Sequence, residues 1–486
     1  MSDQISEVPF FLQNLKAITF PMTEQIDSLD SHFYVVLDEF GTLSAIDPNS
    51  FDNSSVDNWI SDDTSKTCLL CGSTFTMTRR RHHCRYCGLL FCGGCTDNRT
   101  MVGNSICRVC DSCAVILIPP TSSSKYTGLK KWCDINNCSQ IFEESQKNAG
   151  IHFLVAQLSS ESTDSHFNSI RTLYKLLPCH APALISSEVP LALLKHSVEC
   201  ESCRSTSLSL DLFATLYNTD PAGCKISLND FKVDLQKLFE SESIEMKRSA
   251  AKFAYTLATA INADIPNIKT YLSEIKDKWV VAFLLAALSK KTKIEIPTEE
   301  LVPLVLDLIR KDNKEVVTTA SKYFGSIILC KLSNDPQGAN ILSKSDLQSL
   351  IDILFANSPK NQNDKRPETE VALNLSQVLL NVWKTIVDNY SSNPENSNSG
   401  ERAILFSQVL MPLFEVIGIT NDEKGDCPLG KVQMLFFEII KLMATFDDLK
   451  QSVKSEQMLS ILTEFAQGED EFAQEAANTL EFLTKE

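Results

Sequence analysis

Four pairs of cysteines in this sequence have the spacing of metal ligands. Each pair has the form Cys-x-x-Cys, which presents two thiolates to one zinc ion, and four thiolates complete a tetrahedral site. The chain holds 17 cysteines, and an odd number cannot all be paired in disulfides. The clustering of the pairs therefore predicts two closed, structural zinc sites. The eight candidate ligands are Cys68 and Cys71, Cys84 and Cys87, Cys92 and Cys95, and Cys110 and Cys113.

Chain length limits which pairs can share an ion. Residues 88–91 join the second and third pairs and have the composition of a short strand. Five extended steps from Cys87 to Cys92 cover about 16 Å, whereas thiolates on one zinc lie about 4 Å apart. These two pairs should therefore bind different ions, in either an interleaved or a sequential arrangement. Cys107 is a ninth cysteine with Cys-x-x-Cys spacing to Cys110, so one cysteine of the cluster is spare.

A basic run lies beside the second cysteine pair. Residues 79–85 contain four arginines and two histidines around Cys84. Arginine guanidinium groups match phosphate oxygens in a bidentate geometry. A zinc site would fix the backbone here, so these side chains would converge at a small cost in entropy. The run indicates a phosphate-binding surface, although a basic run alone also fits a solvated face or a non-specific patch for acidic ligands.

Charge is distributed unevenly along the chain. The whole sequence carries −17, and residues 1–58, with ten acids and one lysine, account for −9. Residues 59–115 contain seven Arg or Lys and four Asp residues, and they carry +3. The cysteine-rich segment is thus the basic part of an acidic chain, which favours it for contact with an anionic surface.

Three further motifs accompany the cysteines in order. They are Trp59-Ile60-Ser61-Asp62, Arg80-Arg81-His82-His83-Cys84-Arg85 and Arg108-Val109-Cys110. They match the WxxD, R(R/K)HHCR and RVC motifs, so residues 59–115 resemble the FYVE family of zinc fingers. RING and PHD fingers share the two-zinc layout but normally include a histidine ligand and lack these motifs. The resemblance implies short β-hairpins followed by a C-terminal helix.

The resemblance also implies how the ligands are shared. FYVE zincs are cross-braced, which corresponds to the interleaved arrangement and leaves Cys107 as the spare cysteine. One ion would be held by Cys68, Cys71, Cys92 and Cys95, and the other by Cys84, Cys87, Cys110 and Cys113.

FYVE domains bind phosphatidylinositol 3-phosphate, and the matching positions suggest a role for each side chain. Phosphates would be contacted by Arg80, Arg81, Arg85 and Arg108. Inositol hydroxyls would be hydrogen-bonded by Asp62 and His83, with His82 nearby. The loop before the basic run would insert into the membrane through Met77 and Thr78.

From about residue 139 to the end, the sequence has a helical pattern that repeats. Short apolar segments such as 151–158 and 301–309 alternate with longer amphipathic segments such as 244–260 and 315–329. Apolar residues in the longer segments recur at i, i+3, i+4 and i+7. Most short segments are roughly 40–50 residues apart, the period of armadillo and HEAT units. We expect an armadillo/HEAT-like helical solenoid over residues 139–486, with a non-repetitive helical domain as the alternative.

The other boundaries follow from composition. Residues 1–58 form an acidic segment in which the apolar stretch 32–37 could begin a short β-hairpin. We assign residues 59–118 to the finger and 119–138 to a linker, because that segment begins with Pro-Pro-Thr-Ser-Ser-Ser. The predicted fold class is therefore mainly α, with a small two-zinc finger joined to an α-solenoid.

A second group of metal-binding residue types lies in the helical part. Cys200 and Cys203 form another Cys-x-x-Cys pair, and Cys179, His180 and His196 are near in sequence. A third zinc site would require these residues to converge, but they fall within predicted helices of the solenoid. We interpret the cysteines as buried structural side chains.

The helical part contains no recognisable catalytic motif. It has no G-x-x-x-x-G-K-[ST] loop, no H-E-x-x-H and no G-x-S-x-G. We therefore expect a non-enzymatic adaptor that binds phosphatidylinositol 3-phosphate and recruits an unidentified protein partner through its solenoid. The alternative is a ubiquitin ligase that uses the finger as a RING. We expect no nucleic-acid partner, because the solenoid is acidic.

The sequence also indicates how the protein meets a membrane. It contains no run of about 18 apolar residues, so we expect no spanning helix. Its start lacks a basic segment followed by an apolar core, so we expect no secretory signal. The expected location is cytoplasmic, with peripheral attachment to endosomal or vacuolar membranes.

Overall fold

The computed structural model describes residues 59–485 except 104, 120–124, 201, 311–315, 345–346, 358–367, 393–427 and 470. The described residues belong to two compact units, 59–266 and 267–485. The predicted hairpin at 32–37 and the apolar segment 409–417, which falls within the predicted solenoid, lie outside the described residues.

The cysteine-rich segment consists of two antiparallel hairpins and one helix. The first hairpin pairs β1 (Arg81–His83) with β2 (Leu90–Cys92), and the second pairs β3 (Asn98–Val102) with β4 (Ser105–Val109). Helix α1 (Asp111–Leu117) follows directly. So small a segment buries little apolar surface, so metal binding must supply much of its folding free energy.

A helix occupies much of the segment predicted to be a linker. Helix α2 (Thr127–Ile135) packs against the finger, and its Leu129 and Trp132 side chains are buried. Asp111 Oδ2 accepts hydrogen bonds from the backbone N–H groups of Gly128 and Leu129, at 2.8 and 3.3 Å. Residues 127–135 are therefore not a flexible connection. The linker prediction relied on a Pro/Ser-rich start that ends before the helix begins.

The helices of the two units alternate between shorter and longer elements. The remaining helices of the first unit are α3 Ser139–Glu144, α4 Gln146–Ala156, α5 Thr163–Ile185, α6 Val189–Glu199, α7 Cys203–Thr219, α8 Pro221–Cys224, α9 Leu235–Phe239 and α10 Ile244–Ile261. Those of the second unit are α11 Ile268–Glu274, α12 Lys278–Lys290, α13 Thr298–Ile309, α14 Val316–Ser333, α15 Pro336–Ser343, α16 Leu347–Asn357, α17 Glu368–Ser392, α18 Pro428–Met443, α19 Asp447–Val453, α20 Glu456–Phe465 and α21 Glu471–Thr484.

The longer helices stack on one another in sequence order within each unit. In the first unit α5 packs against α7 and α7 against α10. In the second unit the series runs α12, α14, α17, α18 and α21. Shorter helices such as α6, α9, α13 and α16 each pack on the long helix that follows. Helix pairs that contact their neighbours in this way are the repeating unit of a solenoid, so the predicted fold class is confirmed.

Side-chain hydrogen bonds also join successive long helices of the first unit. Lys252 on α10 lies 3.2 Å from Asp211 on α7, and both side chains are fully buried. Tyr174 on α5 donates a hydrogen bond of 2.7 Å to the other carboxylate oxygen of Asp211. A buried charge is tolerated when it is paired and hydrogen-bonded, so this cluster links three helices.

Among the described residues, no single helix is both long and apolar enough to cross a bilayer. Helices α5 and α6 meet the length and composition criteria only as a pair, and they are bent by 110° at their junction.

Candidate functional site

The eight predicted zinc ligands form two clusters. Their sulfur atoms gather within 4.8 Å of one another as Cys68, Cys71, Cys92 and Cys95, and as Cys84, Cys87, Cys110 and Cys113. The Cys71 and Cys92 sulfurs are 3.8 Å apart, and those of Cys87 and Cys110 are 3.9 Å apart. Tetrahedral zinc with Zn–S bonds of about 2.3 Å requires sulfurs about 3.8 Å apart. The arrangement is therefore interleaved, and both donor sets fit zinc.

Burial explains why these thiols need the metal. The described cysteines are free of disulfides, and all members of the second cluster are buried. Burial raises the pKa of the Cys110 thiol well above its usual range, so this thiol would not ionise unaided. Zinc supplies the positive charge that stabilises the thiolates, and four thiolates leave no position for a substrate. The two zinc sites are thus structural.

Cys107 lies outside both clusters. It is on β4, opposite Thr100 of β3, and its side chain is half-buried.

Trp59, His83 and Arg85 form a stack at one edge of the finger. The rings of Trp59 and His83 are 4.8 Å apart and nearly parallel, at 17°. The Arg85 guanidinium lies over the Trp59 ring, 4.4 Å from its centroid, and donates to the His83 carbonyl at 2.6 Å. The tryptophan of the WxxD motif therefore holds two residues of the basic run in place.

Asp62 lies beside this stack. Its carboxylate is 3.7 Å from His83 Nε2, and the Asp62 side chain is exposed. His83 Nε2 is 2.9 Å from the Ile60 carbonyl, and because a carbonyl can only accept, Nε2 donates. The WxxD segment and the basic run thus meet, with an acidic acceptor at the edge of a basic surface.

The basic run continues from an exposed turn into β1. The Arg81 guanidinium lies over the Phe75 ring, 4.8 Å from its centroid, and both Arg80 and Arg81 are exposed. His82 pairs with Phe91 across the hairpin. Burial lowers the pKa of His82, and the charges of Arg108, Arg85 and Arg80 lower it further. Burial also lowers the pKa of His83.

The second hairpin adds two more arginines. Arg99 and Arg108 are direct cross-strand partners, and the Arg85 N–H donates to the Arg108 carbonyl at 3.0 Å. The Arg108 side chain donates to Thr96 Oγ1 at 3.4 Å. Like charges directly opposite each other destabilise a hairpin, and an anion bound between them would relieve the repulsion. The structure therefore brings the RVC arginine to the RRHHCR motif.

The loop before β1 is a hydrogen-bonded turn with an apolar tip. The Thr76 N–H donates to the Arg79 carbonyl at 3.0 Å, and the Arg79 N–H donates to Thr76 Oγ1 at 3.0 Å. The turn leaves Met77 94% exposed. An ordered turn can present an apolar side chain to a membrane without the entropic cost of ordering the loop.

Two features of the site were missed by the sequence analysis. Met101 and Ile106 are cross-strand partners on the second hairpin and are 58% and 73% exposed. A cavity of about 630 Å³ is lined by Arg79, Arg80 and His82 together with Lys131 of α2, and its described lining residues include no carboxylate. The apolar pair could have been found in the sequence, because apolar residues stand at the solvent-facing positions of β3 and β4. The contribution of Lys131 to the cavity could not have been found there, because it depends on how α2 packs on the finger.

The finger also contacts the first helices of the repeat region. Ser112 Oγ donates to the Gly150 carbonyl on α4 at 2.9 Å, and Lys175 Nζ on α5 donates to the Tyr86 carbonyl at 2.9 Å. A β carbon at Gly150 would lie 2.6 Å from the Ser112 carbonyl, closer than real contacts allow. The close approach of α1 and α4 therefore depends on a glycine.

Comparison with protein families agrees with this geometry. A family model described as the FYVE zinc finger matches residues 58–118. Residues 58–118 of this chain are a FYVE zinc finger. The resemblance carried by the WxxD, RRHHCR and RVC motifs is thus confirmed over this segment.

Similar proteins match this chain over a short segment. The chain is 43% identical over 68 residues to RUN and FYVE domain-containing protein 2 of Homo sapiens, which covers 14% of this chain and 11% of the relative. It is 44% identical over 62 residues to 1-phosphatidylinositol 3-phosphate 5-kinase FAB1 of Saccharomyces cerevisiae, which covers 12% of this chain and 3% of the relative. For zinc finger FYVE domain-containing protein 26 of Mus musculus the identity is 44% over 61 residues, which covers 12% of this chain and 2% of the relative. The chain therefore matches about a tenth or less of each relative.

The helical part resembles an armadillo protein in fold. A solved structure from work on the phosphorylation switch that controls the interaction between cadherin and beta-catenin aligns with a TM-score of 0.50. The alignment covers 77% of both chains at 15% sequence identity. At 15% sequence identity, this similarity shows a shared fold and nothing about function.

Proposed function

We propose that this protein is a peripheral membrane adaptor. Its FYVE finger binds phosphatidylinositol 3-phosphate on endosomal or vacuolar membranes, and its helical repeats hold a protein partner there without catalysing a reaction. The observation that carries the proposal is the convergence of the WxxD, RRHHCR and RVC motifs on one basic surface. Curated relatives of the finger support it, since one of them is named as a kinase of this lipid.

The arginines would bind the phosphates of the head group. Arg80, Arg81, Arg85 and Arg108 supply the guanidinium groups, and Arg85 and Arg108 are joined through a backbone hydrogen bond. The stack on Trp59 fixes Arg85 before the lipid arrives, so little side-chain entropy is lost on binding.

Asp62 and the two histidines would set the preference for this lipid. A carboxylate repels phosphate but accepts hydrogen bonds from hydroxyls, so Asp62 next to His83 suits unphosphorylated positions of the inositol ring. Burial lowers the pKa of both His82 and His83, so both imidazoles are largely neutral near neutral pH and serve as hydrogen-bonding groups.

Membrane insertion would occur beside this pocket. Met77 is the exposed tip, and Thr78 both follows it and lines the basic cavity. That cavity therefore opens next to the inserting loop. Lys131, which belongs to α2 and not to the finger, would add attraction for anionic lipids at this edge.

A flotation assay tests the lipid assignment. The full-length protein is mixed with vesicles that each contain one phosphoinositide, and we expect flotation with the 3-phosphate. The double substitution Arg80→Ala/Arg81→Ala should abolish it. Lys232→Ala/Lys237→Ala removes the same charge from exposed positions in the helical part and should float like the wild type. Equal flotation of the wild type and the arginine variant would refute the assignment.

Two adjacent lysines on α2 test the contribution of the helix. Lys131 lines the basic cavity, whereas Lys130 is exposed elsewhere on the same helix. Lys131→Gln should weaken binding to vesicles that contain phosphatidylserine with the phosphoinositide, by about 1 kcal/mol for one basic residue near the surface. Lys130→Gln should have a smaller effect. Equal losses in both variants would mean that only net charge matters.

The proposed adaptor role needs a separate measurement. Proteins that co-purify with the full-length wild type should also co-purify with Arg80→Ala/Arg81→Ala, because the repeats are unchanged, but they should no longer float with vesicles. Loss of the partners in the variant would show that they depend on the membrane and not on the repeats.

A further inference from the structure

Three potential metal ligands meet where the start of α5 lies beside the end of α6, and none of them belongs to the finger's zinc clusters. The donor atoms of His166, His196 and Cys200 lie within 4.8 Å of one another. His166 is in the first turn of α5, and His196 is in the last turn of α6. Cys200 follows α6 at the i+4 position from His196, and its N–H donates to the His196 carbonyl at 2.9 Å.

Each histidine has one ring nitrogen engaged and the other unpaired. His166 Nε2 donates to the Ser160 carbonyl at 2.6 Å, and His196 Nδ1 lies 2.9 Å from Ser209 Oγ. The remaining nitrogens, His166 Nδ1 and His196 Nε2, are buried and have no hydrogen-bond partner. A buried polar atom without a partner costs about 1–3 kcal/mol, so two unpaired atoms in one cluster need a physical explanation.

A metal ion accounts for this pattern. Histidine ligands commonly donate their second ring N–H to a carbonyl or another oxygen, which fixes the tautomer and leaves the lone pair on the metal-binding nitrogen. The Ser160 carbonyl does this for His166, and Ser209 is placed to do it for His196. The two rings are 5.0 Å apart at 89°, so they stand edge to face and do not stack.

We propose that His166, His196 and Cys200 bind a third zinc ion, through Nδ1, Nε2 and Sγ respectively. Two imidazoles and one thiolate are a donor set that zinc accepts, and a fourth tetrahedral position is left for water or a further donor. The ion joins the start of α5 to the end of α6 and has a structural role in the first repeats.

In the sequence, Cys200 and Cys203 are close to Cys179, His180 and His196. These residues fall within predicted helices, which is why the cysteines were interpreted as buried structural side chains. The structure instead adds His166, and neither Cys179 nor His180 belongs to the cluster. Cys179 is exposed, so it is also not a buried side chain.

Counting zinc in the intact protein tests the proposal. The full-length chain is purified with zinc, gel-filtered, and weighed by native mass spectrometry. We expect three zinc ions in the wild type, namely two in the finger clusters and one at the new site. His166→Gln and Cys200→Ser should each hold one zinc fewer. His180→Gln, a matched change outside the cluster, should retain all three.

Two controls identify which zinc is lost. The finger cysteines should remain protected from alkylation in His166→Gln, so the missing ion is not one of theirs. His166→Cys keeps a zinc ligand at this position, so the variant should hold three ions. This measurement tests the site even if the glutamine variant does not fold. Two zinc ions in the wild type would overturn the proposal. So would a full count in folded His166→Gln.

Discussion

Replacing Gly128 by alanine tests the packing of the FYVE finger against α2. A β carbon there would approach the sulfur of Cys95 closer than real contacts allow, and it would lie 2.9 Å from Asp111 Oδ2. Cys95 cannot move away, because a zinc–sulfur bond of about 2.3 Å fixes its position. Helix α2 must therefore shift, which weakens the two backbone hydrogen bonds that Asp111 accepts.

The size of the effect follows from these contacts. Overpacking costs about 1–3 kcal/mol, and weakening the hydrogen bonds to a charged acceptor adds about 1 kcal/mol. The better helix propensity of alanine offsets at most about 1 kcal/mol. We expect the free energy of unfolding to fall by about 2 kcal/mol, which lowers the melting temperature of a unit of this size by about 4–8 °C. A chelator should also remove zinc faster from the cluster that contains Cys95.

Gly94→Ala is the matched control. Gly94 is next to Cys95 in sequence, but a β carbon there would meet no atom within 4 Å. This variant should melt and release zinc like the wild type. Thermal unfolding followed by circular dichroism and a colorimetric zinc-release assay measure both quantities. If Gly128→Ala is indistinguishable from Gly94→Ala in both assays, α2 does not pack on the finger as described.

Three other predictions address the repeats and the membrane contact. Lys252→Met leaves the Asp211 carboxylate buried without its ion pair and should cost about 3–5 kcal/mol in urea unfolding, whereas adding Asp211→Asn should restore most of the loss. An equally unstable double variant would contradict this. The hydrogen bond to Glu188 raises the pKa of His152, so the pair stabilises the fold below about pH 6.5 and the benefit disappears as pH rises through the folded-state pKa. Glu188→Gln should thus lower the melting temperature slightly at about pH 6 and not at about pH 8.5, for a pair worth about 0.3–1 kcal/mol, and a pH-independent difference would refute the assignment. Met77→Ser should weaken vesicle binding and leave the affinity for the soluble inositol head group unchanged; weaker head-group binding would mean that Met77 contacts the ligand and not the bilayer.

Much of the finger could be predicted because its information is local. Cys-x-x-Cys spacing brings two thiolates to one ion wherever the fold places them, so spacing identified the cluster of nine cysteines, and the FYVE motifs left Cys107 as the spare one. The length of the segment between Cys87 and Cys92 was enough to assign these residues to different ions. Helical periodicity likewise predicted the boundaries of α10 and α13 to within a few residues.

Some features depended on contacts between distant residues. The docking of α2 on the finger rests on a hydrogen bond between Asp111 and Gly128, and the segment between them looked like a linker. The buried apolar side chains of α2 are Leu129, Trp132 and Cys133, too short a pattern to indicate a packed helix. The composition of a segment does not show which other parts of the chain pack against it.

The sequence by itself determined the chemistry of the finger, namely two four-thiolate zinc clusters and the arginines and histidines next to them. These depend on neighbours in the chain, whose geometry is limited by a few covalent bonds. Only the tertiary structure decided that Lys131 lines the same cavity as Arg80, and that His166 meets His196. Such contacts arise when separate helices pack, and packing is selected by the buried surface of the whole unit, which no local spacing encodes.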